Sequence, residues 1–451
     1  MTDQVQKGSK TIAGRIRRWL FVIAAIGVLV LIVCSRPASN RRTGPVTPQI
    51  AAGDGHTLAL SADGHLYAWG RNEFGQIGFE SPIGNWLTPR IIQKKGTDWV
   101  KIGVGDNHSL AIKSDGSLWA WGRNDFGQLG LGQVSGIEKM RPSPTRIGNE
   151  TNWSAVAGGV LFTIALKKDG TIWGWGGNWV GQLGDGSTDL LPIMDGYEKA
   201  SKRMVSKPQQ IGHDLNWTAI AVGGEHVLAL KKDGSLWGWG RNDFGQLGDG
   251  TSSHRSTPVR IGTGTNWAMI VAGGGFSGGH SAAIKTDGSL WVWGDYCPKV
   301  AAQYVEKIEG QITPLRLGDE NDWQCVSAGD GFTMATKKNG TLWIIGQDLT
   351  GMSGKRMSAL KQLTRIKPNN KWATAAAEGN GYYGGRNLYY SYALDQDGVL
   401  WIWGSQLSRT PGKLVARIGG WITKLHISNR FGKTTKKSPA ELIELGTKEG
   451  R

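Results

Sequence analysis

The chain has 451 residues, including 69 Gly, 22 Trp and only three Cys, and 39% of its residues are hydrophobic. This composition excludes a disordered polyelectrolyte and a disulfide-dense scaffold, and no three-residue glycine period indicates collagen. The net charge of +16 is concentrated near the ends: residues 1–35 carry +4, Arg36, Arg41 and Arg42 add +3, and residues 429–451 add +3. The remaining +6 is ordinary for a soluble body, so a nucleic-acid partner is not expected.

The first element is an uninterrupted apolar run of sixteen residues, Trp19–Cys34, after a basic segment over residues 1–18. Flanking arginines allow so short a run to span a bilayer, and no small-residue cleavage motif follows it. We therefore expect an uncleaved transmembrane signal anchor, with a cleaved signal peptide and secretion as the alternative. The basic residues before the run favour a cytoplasmic N-terminus, which places the rest of the chain in the periplasm or outside the cell. Residues 35–46 have the composition of a polar linker.

After the linker, one unit of about fifty residues recurs seven times. Its core is the phrase Asp-Gly-x-Leu-x-x-Trp-Gly, with small variations, and successive copies begin 52 to 64 residues apart. Asp-Gly is a strong hairpin signal, and a period near fifty with several short strands is typical of propeller blades. The copies begin at Asp63, Asp115, Asp169, Asp233, Asp287, Asn339 and Asp397.

Copy four shows how a unit divides into four strands. The predicted strands are Trp217–Gly223, His226–Leu230, Leu236–Gly240 and Pro258–Gly262. We therefore predict an all-β fold, a seven-bladed β-propeller of four-stranded blades over residues 47–428, followed by a basic tail. The sequence offers eight candidates for seven first strands, because Thr47–Ala52 and Trp421–Ser428 both fit. We expect the C-terminal one to close the ring, since it retains the first-strand Trp.

The third-strand phrase continues as WGRNEFGQIG over Trp69–Gly78 and as WGRNDFGQLG in copies two and four. These residues resemble the repeats of the regulator of chromosome condensation family, over about residues 47–426. Copies five to seven depart from the pattern after the Trp-Gly or its equivalent. The resemblance implies a seven-bladed propeller, here of a bacterial envelope type. It does not imply one function, because members include a nuclear nucleotide-exchange factor for a small GTPase and a secreted bacterial inhibitor of β-lactamases.

No residue pattern predicts catalysis. The sequence contains no H-E-x-x-H, C-x-x-C or G-x-S-x-G motif, and the glycine-rich stretch Gly273–Gly278 is not followed by a helix. We expect no enzyme activity, cofactor, metal site or small-molecule ligand. Cys297 and Cys325 lie in neighbouring copies and could pair outside the cytoplasm. One ring position alternates between histidine and other aromatic residues, which predicts packing rather than metal binding: His56, His108, Phe162, His226, His280, Phe332 and Tyr390.

Function is expected where the copies differ. From first-strand Trp to turn Asp or Asn the spacing is 16 residues in copies two, three, four and six, but 20 in copy five and 25 in copy seven. A third insertion follows Gly184. Because strand direction reverses at each turn, all three insertions should lie on one face, and their aromatic and small residues are typical of a paratope. Loops that are merely tolerated are the alternative. The predicted partner-binding residues are Tyr382, Tyr383, Tyr389, Leu190, Leu191, Ile193, Met194, Tyr197 and Phe276.

These features together predict a membrane-tethered propeller that binds a protein partner in a cell envelope. Glycosylation sequons at Asn107, Asn152 and Asn216 fall inside or beside strands, which favours a bacterial source. Two other functions remain open. Guanine-nucleotide exchange on a small GTPase requires a cytosolic or nuclear propeller, whereas carbohydrate or cell-wall binding is compatible with an aromatic rim.

Overall fold

The computed structural model describes residues 46–427 except 48, 62, 80–84, 93–97, 133–139, 189–203, 275–278, 296–310, 349–357, 367–370, 384–385, 396–399, 405–414, 419–420 and 425. The predicted anchor Trp19–Cys34 and the tail over 429–451 lie outside these residues. Within the described ranges, no helix is long and apolar enough to cross a membrane.

Six regular blades follow one another along the described chain, each an antiparallel sheet whose four strands pair in sequence order. Blade one contains β1 (Gln49–Ala52), β2 (His56–Leu60), β3 (Leu66–Arg71) and β4 (Asn85–Ile91). Blade two contains β5 (Trp99–Val104), β6 (His108–Lys113), β7 (Leu118–Gly122) and β8 (Arg141–Arg146). Blade three contains β9 (Trp153–Gly158), β10 (Phe162–Lys167), β11 (Ile172–Gly176) and β12 (Val205–Ile211).

The second half of the ring continues in the same way. Blade four contains β13 (Trp217–Val222), β14 (His226–Lys231), β15 (Leu236–Gly240) and β16 (Arg255–Arg260). Blade five contains β17 (Trp267–Gly273), β18 (His280–Lys285), β19 (Leu290–Gly294) and β20 (Gln311–Arg316). Blade six contains β21 (Trp323–Ala328), β22 (Phe332–Lys337), β23 (Leu342–Asp348) and β24 (Ser358–Arg365).

Copy seven departs from this order, so the described chain shows six regular blades and not the seven predicted. Strands β25 (Trp372–Tyr383), β26 (Arg386–Asp395) and β27 (Leu400–Gly404) pair as expected, but the fourth position is taken by the two-residue β30 (His426–Ile427), which is parallel to β27. The segment expected there, β28 (Val415–Ile418), instead pairs with β29 (Trp421–Lys424). Strands β28 and β29 thus form a separate two-stranded sheet instead of joining the sheet of copy seven.

The prediction that Trp421–Ser428 closes the ring is wrong, because β29 is paired with β28 while β1 supplies the first strand of blade one. Copy seven nevertheless lies between blades six and one. The Ala377 amide donates to Ser327 Oγ at 3.0 Å, and the rings of Tyr392 and Trp69 meet edge to face at 5.9 Å.

The repeated phrase explains the second hairpin of each blade. In blade four, Asp233 Oδ1 accepts the Ser235 amide at 2.9 Å, and Ser235 Oγ accepts the Trp237 indole N–H at 2.9 Å. The aspartate thus fixes the turn backbone, and the serine fixes the first Trp of the third strand. At the strand's other end Gly240 has φ +93°, and a Cβ there would lie 2.5 Å from the Glu225 carbonyl, so only glycine fits.

Aromatic clusters form the core of each blade and of each seam between blades. In blade four, Trp217 contacts Trp237 and Trp239 with ring centroids 5.8 and 6.2 Å apart. Lys231 Nζ lies 3.8 Å from the Trp237 centroid and pairs with Asp214 at 2.9 Å. Equivalent Trp pairs recur in the other blades, so buried indoles supply a large apolar contact area in each.

A set of side-chain hydrogen bonds joins neighbouring blades. We call it the latch: a backbone carbonyl of one blade accepts an indole N–H and a hydroxyl of the next blade, and a histidine of the first blade bonds that hydroxyl. In the seam between blades two and three, the Gln128 carbonyl accepts the Trp175 indole N–H at 2.9 Å and the Thr163 hydroxyl at 2.8 Å. His108 Nε2 lies 3.0 Å from Thr163 Oγ1. Because the hydroxyl proton points to the carbonyl, His108 must donate. Burial lowers the pKa of His108 to about 3, so the imidazole is neutral.

The seams from blade one to two and from four to five repeat this latch, with His56 on Ser109 and His226 on Ser281. At the seam from five to six, His280 contacts Thr333 Oγ1 at 2.9 Å. The sequence correctly predicted that these histidines are packed inside, but missed the bond that each imidazole makes.

Candidate functional site on the loop face

We define the loop face as the end of the ring that carries the first-to-second and third-to-fourth strand connections. In blades one, two and four, the residue at the end of the third strand or directly after it hydrogen-bonds the turn between strands one and two. The amides of Arg71, Arg123 and Arg241 donate to the carbonyls of Gly55, Asn107 and Glu225 at 2.7, 2.9 and 2.9 Å. Both kinds of connection therefore lie together at one end of these blades, as the strand order predicts.

In blade four, side chains of the third-to-fourth connection hydrogen-bond the backbone of the same connection. In blade four, Asn242 Oδ1 accepts the Leu247 amide at 2.9 Å, while Nδ2 donates to Asp249 Oδ1 at 3.0 Å. Gln246 Oε1 accepts the Phe244 amide at 2.9 Å. The phrase Asn-Asp-Phe-Gly-Gln-Leu-Gly thus specifies a pre-formed platform rather than an adaptable loop.

Four carboxylates from blades one, two, four and six converge on this face: Asp54, Asp106, Glu225 and Asp330. Burial raises the pKa of Asp106 well above its usual range, and the charges of the other three raise it further, partly opposed by Arg123. Burial also raises the pKa of Asp54 to about 7, with Arg71 opposing and Asp330 adding to the shift. The sequence analysis did not predict this convergence. The sequence signal for the cluster is an acidic residue one or two positions before the recurring position held by His56, His108, His226 or Phe332.

Arginines at the ends of the third strands or directly after them neutralise part of this charge. Arg241 pairs with Glu225 Oε2 at 2.8 Å and with Asp243 Oδ1 at 2.7 Å. Arg71 lies 3.9 Å from Asp54 Oδ2. In the part of the chain that the structure describes, no group of three or more His, Cys, Asp or Glu could hold a metal ion. Because the pKa values of Asp54 and Asp106 are raised and Glu225 is paired with Arg241, the cluster carries little free negative charge near neutral pH.

Blade three adds an apolar cluster to the loop face. Phe126, Val160 and Leu161 are buried against the partly buried Trp179 and Met204. The Phe126 and Trp179 rings meet edge to face at 5.9 Å, and the Trp179 indole N–H donates to Glu225 Oε1 at 2.6 Å. Met204 is the first described residue after positions 189–203, and its side chain packs on this apolar cluster.

The insertion of copy seven is not an irregular loop, because it lengthens two strands. Strand β25 has 12 residues and β26 has 10, and their pairing runs through Asn380–Tyr389 and Tyr382–Asn387 to Tyr383–Arg386. Tyr382, Tyr383 and Tyr389 are therefore placed on this hairpin by backbone register. The other predicted binding residues lie outside the described residues: Leu190, Leu191, Ile193, Met194, Tyr197 and Phe276. The binding role of both sets stays a prediction.

Cys325 lies at a buried position in β21 and forms a disulfide. Its partner is one of the other two cysteines, Cys34 or Cys297, and both lie outside the described residues.

Residues 33–297 match the family model of the RCC1-like domain. The chain belongs to the RCC1-like domain family. This RCC1-like chain is 30% identical over 246 residues to the ultraviolet-B receptor UVR8 of Arabidopsis thaliana, which covers 54% of this chain and 52% of that protein. It is 32% identical to the E3 ubiquitin-protein ligase HERC2 of Homo sapiens over 50% of this chain but 4% of that protein. The chain thus spans about half or less of the length of these relatives.

Solved structures agree with the RCC1-like fold. Human WBSCR16 superposes with a TM-score of 0.61 at 22% identity, covering 77% of this chain and 92% of that one. Prp20p from Saccharomyces cerevisiae also has a TM-score of 0.61, at 21% identity, covering 89% and 85%. The predicted family and the all-β propeller of four-stranded blades are therefore confirmed. The prediction of a bacterial envelope type finds no support among these plant, human and yeast relatives.

Proposed function

We propose that this RCC1-like propeller is a binding module for a protein partner, and that its loop face carries the binding site. The observation that carries the proposal is the β25–β26 hairpin. The first strands of blades two to six have six or seven residues, whereas β25 has 12. The blade scaffold does not require the additional pairs. Tyrosines on a paired hairpin supply a large contact area at a low cost in conformational entropy.

The proposal also includes the organisation of the whole chain. Copy seven acts as a seventh blade that completes the ring, because its contacts reach both blade six and blade one. The apolar segment Trp19–Cys34 anchors the protein in a membrane, and the propeller lies outside the cytoplasm. Support for this topology comes from the basic residues that precede the segment. Reception of ultraviolet-B light and ubiquitin ligation are functions of relatives of which this chain matches only a part.

Truncating the hairpin tyrosines tests the site. We expect Tyr383→Ala or Tyr389→Ala to weaken binding of a partner captured by crosslinking from membranes by about 1–3 kcal/mol, as at interface hot spots. The free energy of unfolding should change by less than about 0.5 kcal/mol, since surface residues contribute little to it. Leu315→Ala is the matched control, because Leu315 is an exposed apolar residue on the outer strand β20. Unchanged binding after deletion of Gly381–Asn387, in a chain that still melts normally, would refute the loop-face site.

A topology reporter fused after Arg451 tests the location. A signal from outside the cytoplasm is expected. A cytoplasmic signal would overturn the tethered arrangement and favour nucleotide exchange on a small GTPase, the function expected of a cytosolic or nuclear member. Binding of the chain to purified wall polysaccharide, with loss on the same tyrosine changes, would instead favour a carbohydrate module.

A further inference from the structure

The end of the ring opposite the loop face carries the Asp-Gly turns and the linkers between blades, and we call it the turn face. A groove of about 590 Å³ crosses blades two, three and four there. This volume is in the range of sites that hold ligands larger than a single small ion. The residues that matter for its chemistry are Val100, Lys101, Lys168, Leu215 and Lys232.

Five lysines and one aspartate line the groove. Two of the lysines belong to the repeat scaffold. Lys113 pairs with Asp98 at 3.2 Å, and Lys167 pairs with Glu150 at 2.8 Å and lies over the Trp173 ring. The other three, Lys101, Lys168 and Lys232, form no ion pair with any residue in the described ranges. They leave the groove with an excess of positive charge.

Lys101 is the unusual member, because the scaffold does not need a cation at its position. Lys101 pairs across the sheet with Ile112. The residues in the same register on other first strands are small or apolar: Ala155, Ala219, Met269 and Cys325. Blade one places Gln49 there, and its amide donates to the Val100 carbonyl at 2.7 Å. The Lys101 ammonium has no hydrogen-bond or ion-pair partner among the described residues. Burial lowers the pKa of Lys101.

We propose that this groove binds an acidic peptide segment of a partner protein. Carboxylates complement the three uncommitted ammonium groups, and Leu215, which is 67% exposed, gives an apolar side chain of the peptide a place to pack. This site is separate from the loop-face site and does not depend on it.

The lining favours a peptide over a nucleic acid. Trp153 and Trp217 border the groove, but Lys167 and Lys231 cover their rings at 4.8 and 4.7 Å from the centroids. Both indoles are also buried, with Trp153 1% and Trp217 4% exposed, so neither of these described rings offers a face for a base to stack on. Arginine, the side chain that recognises phosphate in bidentate geometry, does not line the groove.

The test uses the full chain in mild detergent and a short fluorescein-labelled peptide of Glu, Asp and Leu, with binding measured by fluorescence anisotropy. We expect the peptide to bind and its affinity to fall as salt is added. Combining Lys101→Met, Lys168→Gln and Lys232→Gln should weaken binding about tenfold, since each charge contributes modestly at an exposed site. The control is Lys338→Gln, because Lys338 occupies the register of Lys168 on blade six, outside the groove.

Several results would overturn the proposal. One is equal affinity of the triple variant and the Lys338→Gln control; another is equal binding of a peptide in which Gln and Asn replace Glu and Asp. Tighter binding of a single-stranded oligonucleotide of the same charge would assign the groove to nucleic acid, and displacement of the peptide by inorganic phosphate would assign it to small anions. If the triple variant does not melt like the wild type, the exposed pair Lys168→Gln and Lys232→Gln decides the question alone. Tyr383→Ala should leave peptide binding unchanged, which separates this site from the loop-face proposal.

Discussion

The seam between blades two and three and the seam between blades three and four hold the ring together in different ways. In the first seam, His108 donates a hydrogen bond to the Thr163 hydroxyl, which in turn donates to the Gln128 carbonyl. In the second, Phe162 and Val227 occupy the positions of the histidine and the threonine, and both are fully buried. Both seams retain the indole bond, from Trp175 to Gln128 and from Trp239 to Gln182. The indole bond is thus common to both, whereas histidine and threonine are exchanged together.

This joint exchange has a physical reason. Replacing one member of a buried donor–acceptor pair leaves the other unpaired, which costs more than replacing both by apolar groups. The seam between blade six and copy seven shows the mismatched case. Phe332 cannot donate, and Ser391 Oγ is buried with no hydrogen-bond partner in the described part of the chain. This seam borders the sheet that departs from the regular blades.

The largest effect is expected from removing the shared indole. Trp175→Ala and Trp239→Ala should each lower the free energy of unfolding by about 3–5 kcal/mol, because each leaves a large cavity in a closely packed core. Urea titrations followed by circular dichroism measure the loss.

Phenylalanine at the same positions separates the two seams. Trp239→Phe leaves the Gln182 carbonyl without its indole donor, whereas after Trp175→Phe the Gln128 carbonyl keeps the Thr163 hydroxyl. Trp239→Phe should therefore cost about 1 kcal/mol more than Trp175→Phe. Equal costs would mean that the hydrogen bonds of the latch do not distinguish the seams.

A medium effect is expected from breaking one pair. Thr163→Val should lower the free energy of unfolding by about 1–3 kcal/mol, because it leaves the buried His108 N–H without a hydrogen-bond acceptor. Adding His108→Phe recreates the pair found in the next seam, so the double variant should be more stable than Thr163→Val alone. A double-mutant cycle with both single variants measures the coupling. Additive costs would contradict the idea that the two residues act as a unit.

The pH dependence of stability also distinguishes the two seams. Folded His108 stays neutral down to its pKa of about 3, whereas in the unfolded chain it takes a proton near pH 6.5. Between these values the unfolded state binds more protons, so this residue makes stability fall as the pH falls below 6.5.

We therefore expect the His108→Phe/Thr163→Val variant to lose about 1–2 kcal/mol less than the wild type between pH 7 and pH 5. The raised pKa values of Asp54 and Asp106 act in the opposite direction, but they are present in both chains and cancel in the comparison. Unfolding by urea at the two pH values provides the measurement. Identical losses would show that the imidazole is not kept neutral in the fold.

Local pattern predicted most of the regular blades. The third strand Leu236–Gly240 begins and ends where the sequence placed it, and the second strand is longer by Lys231 alone. The fourth strand begins at Arg255 instead of Pro258, because proline is tolerated on a strand at the edge of a sheet. These elements depend on turn and alternation signals within a few residues.

Features that depend on distant partners could not be predicted in this way. The pairing of β28 with β29 depends on which of two competing partners Val415–Ile418 finds, and the spacing of the copies does not decide it. The carboxylates of the loop face come from four different blades and meet only when the ring is assembled. Lys101 looks ordinary in sequence, and it becomes unusual only when its register is compared with Ala219 and Met269.

The latch gives the ring a direction along the chain. Each complete latch places the acceptor carbonyl on one blade and its indole donor on the next, so the Gln76 carbonyl is satisfied by Trp121, 45 residues later. During synthesis from the N-terminus, a newly made blade therefore keeps an unpaired acceptor until its successor emerges. The hydrogen bonds between blades therefore form in the order in which the blades are synthesised. A chain that ends between two blades has a last blade whose acceptor carbonyl lacks its indole donor.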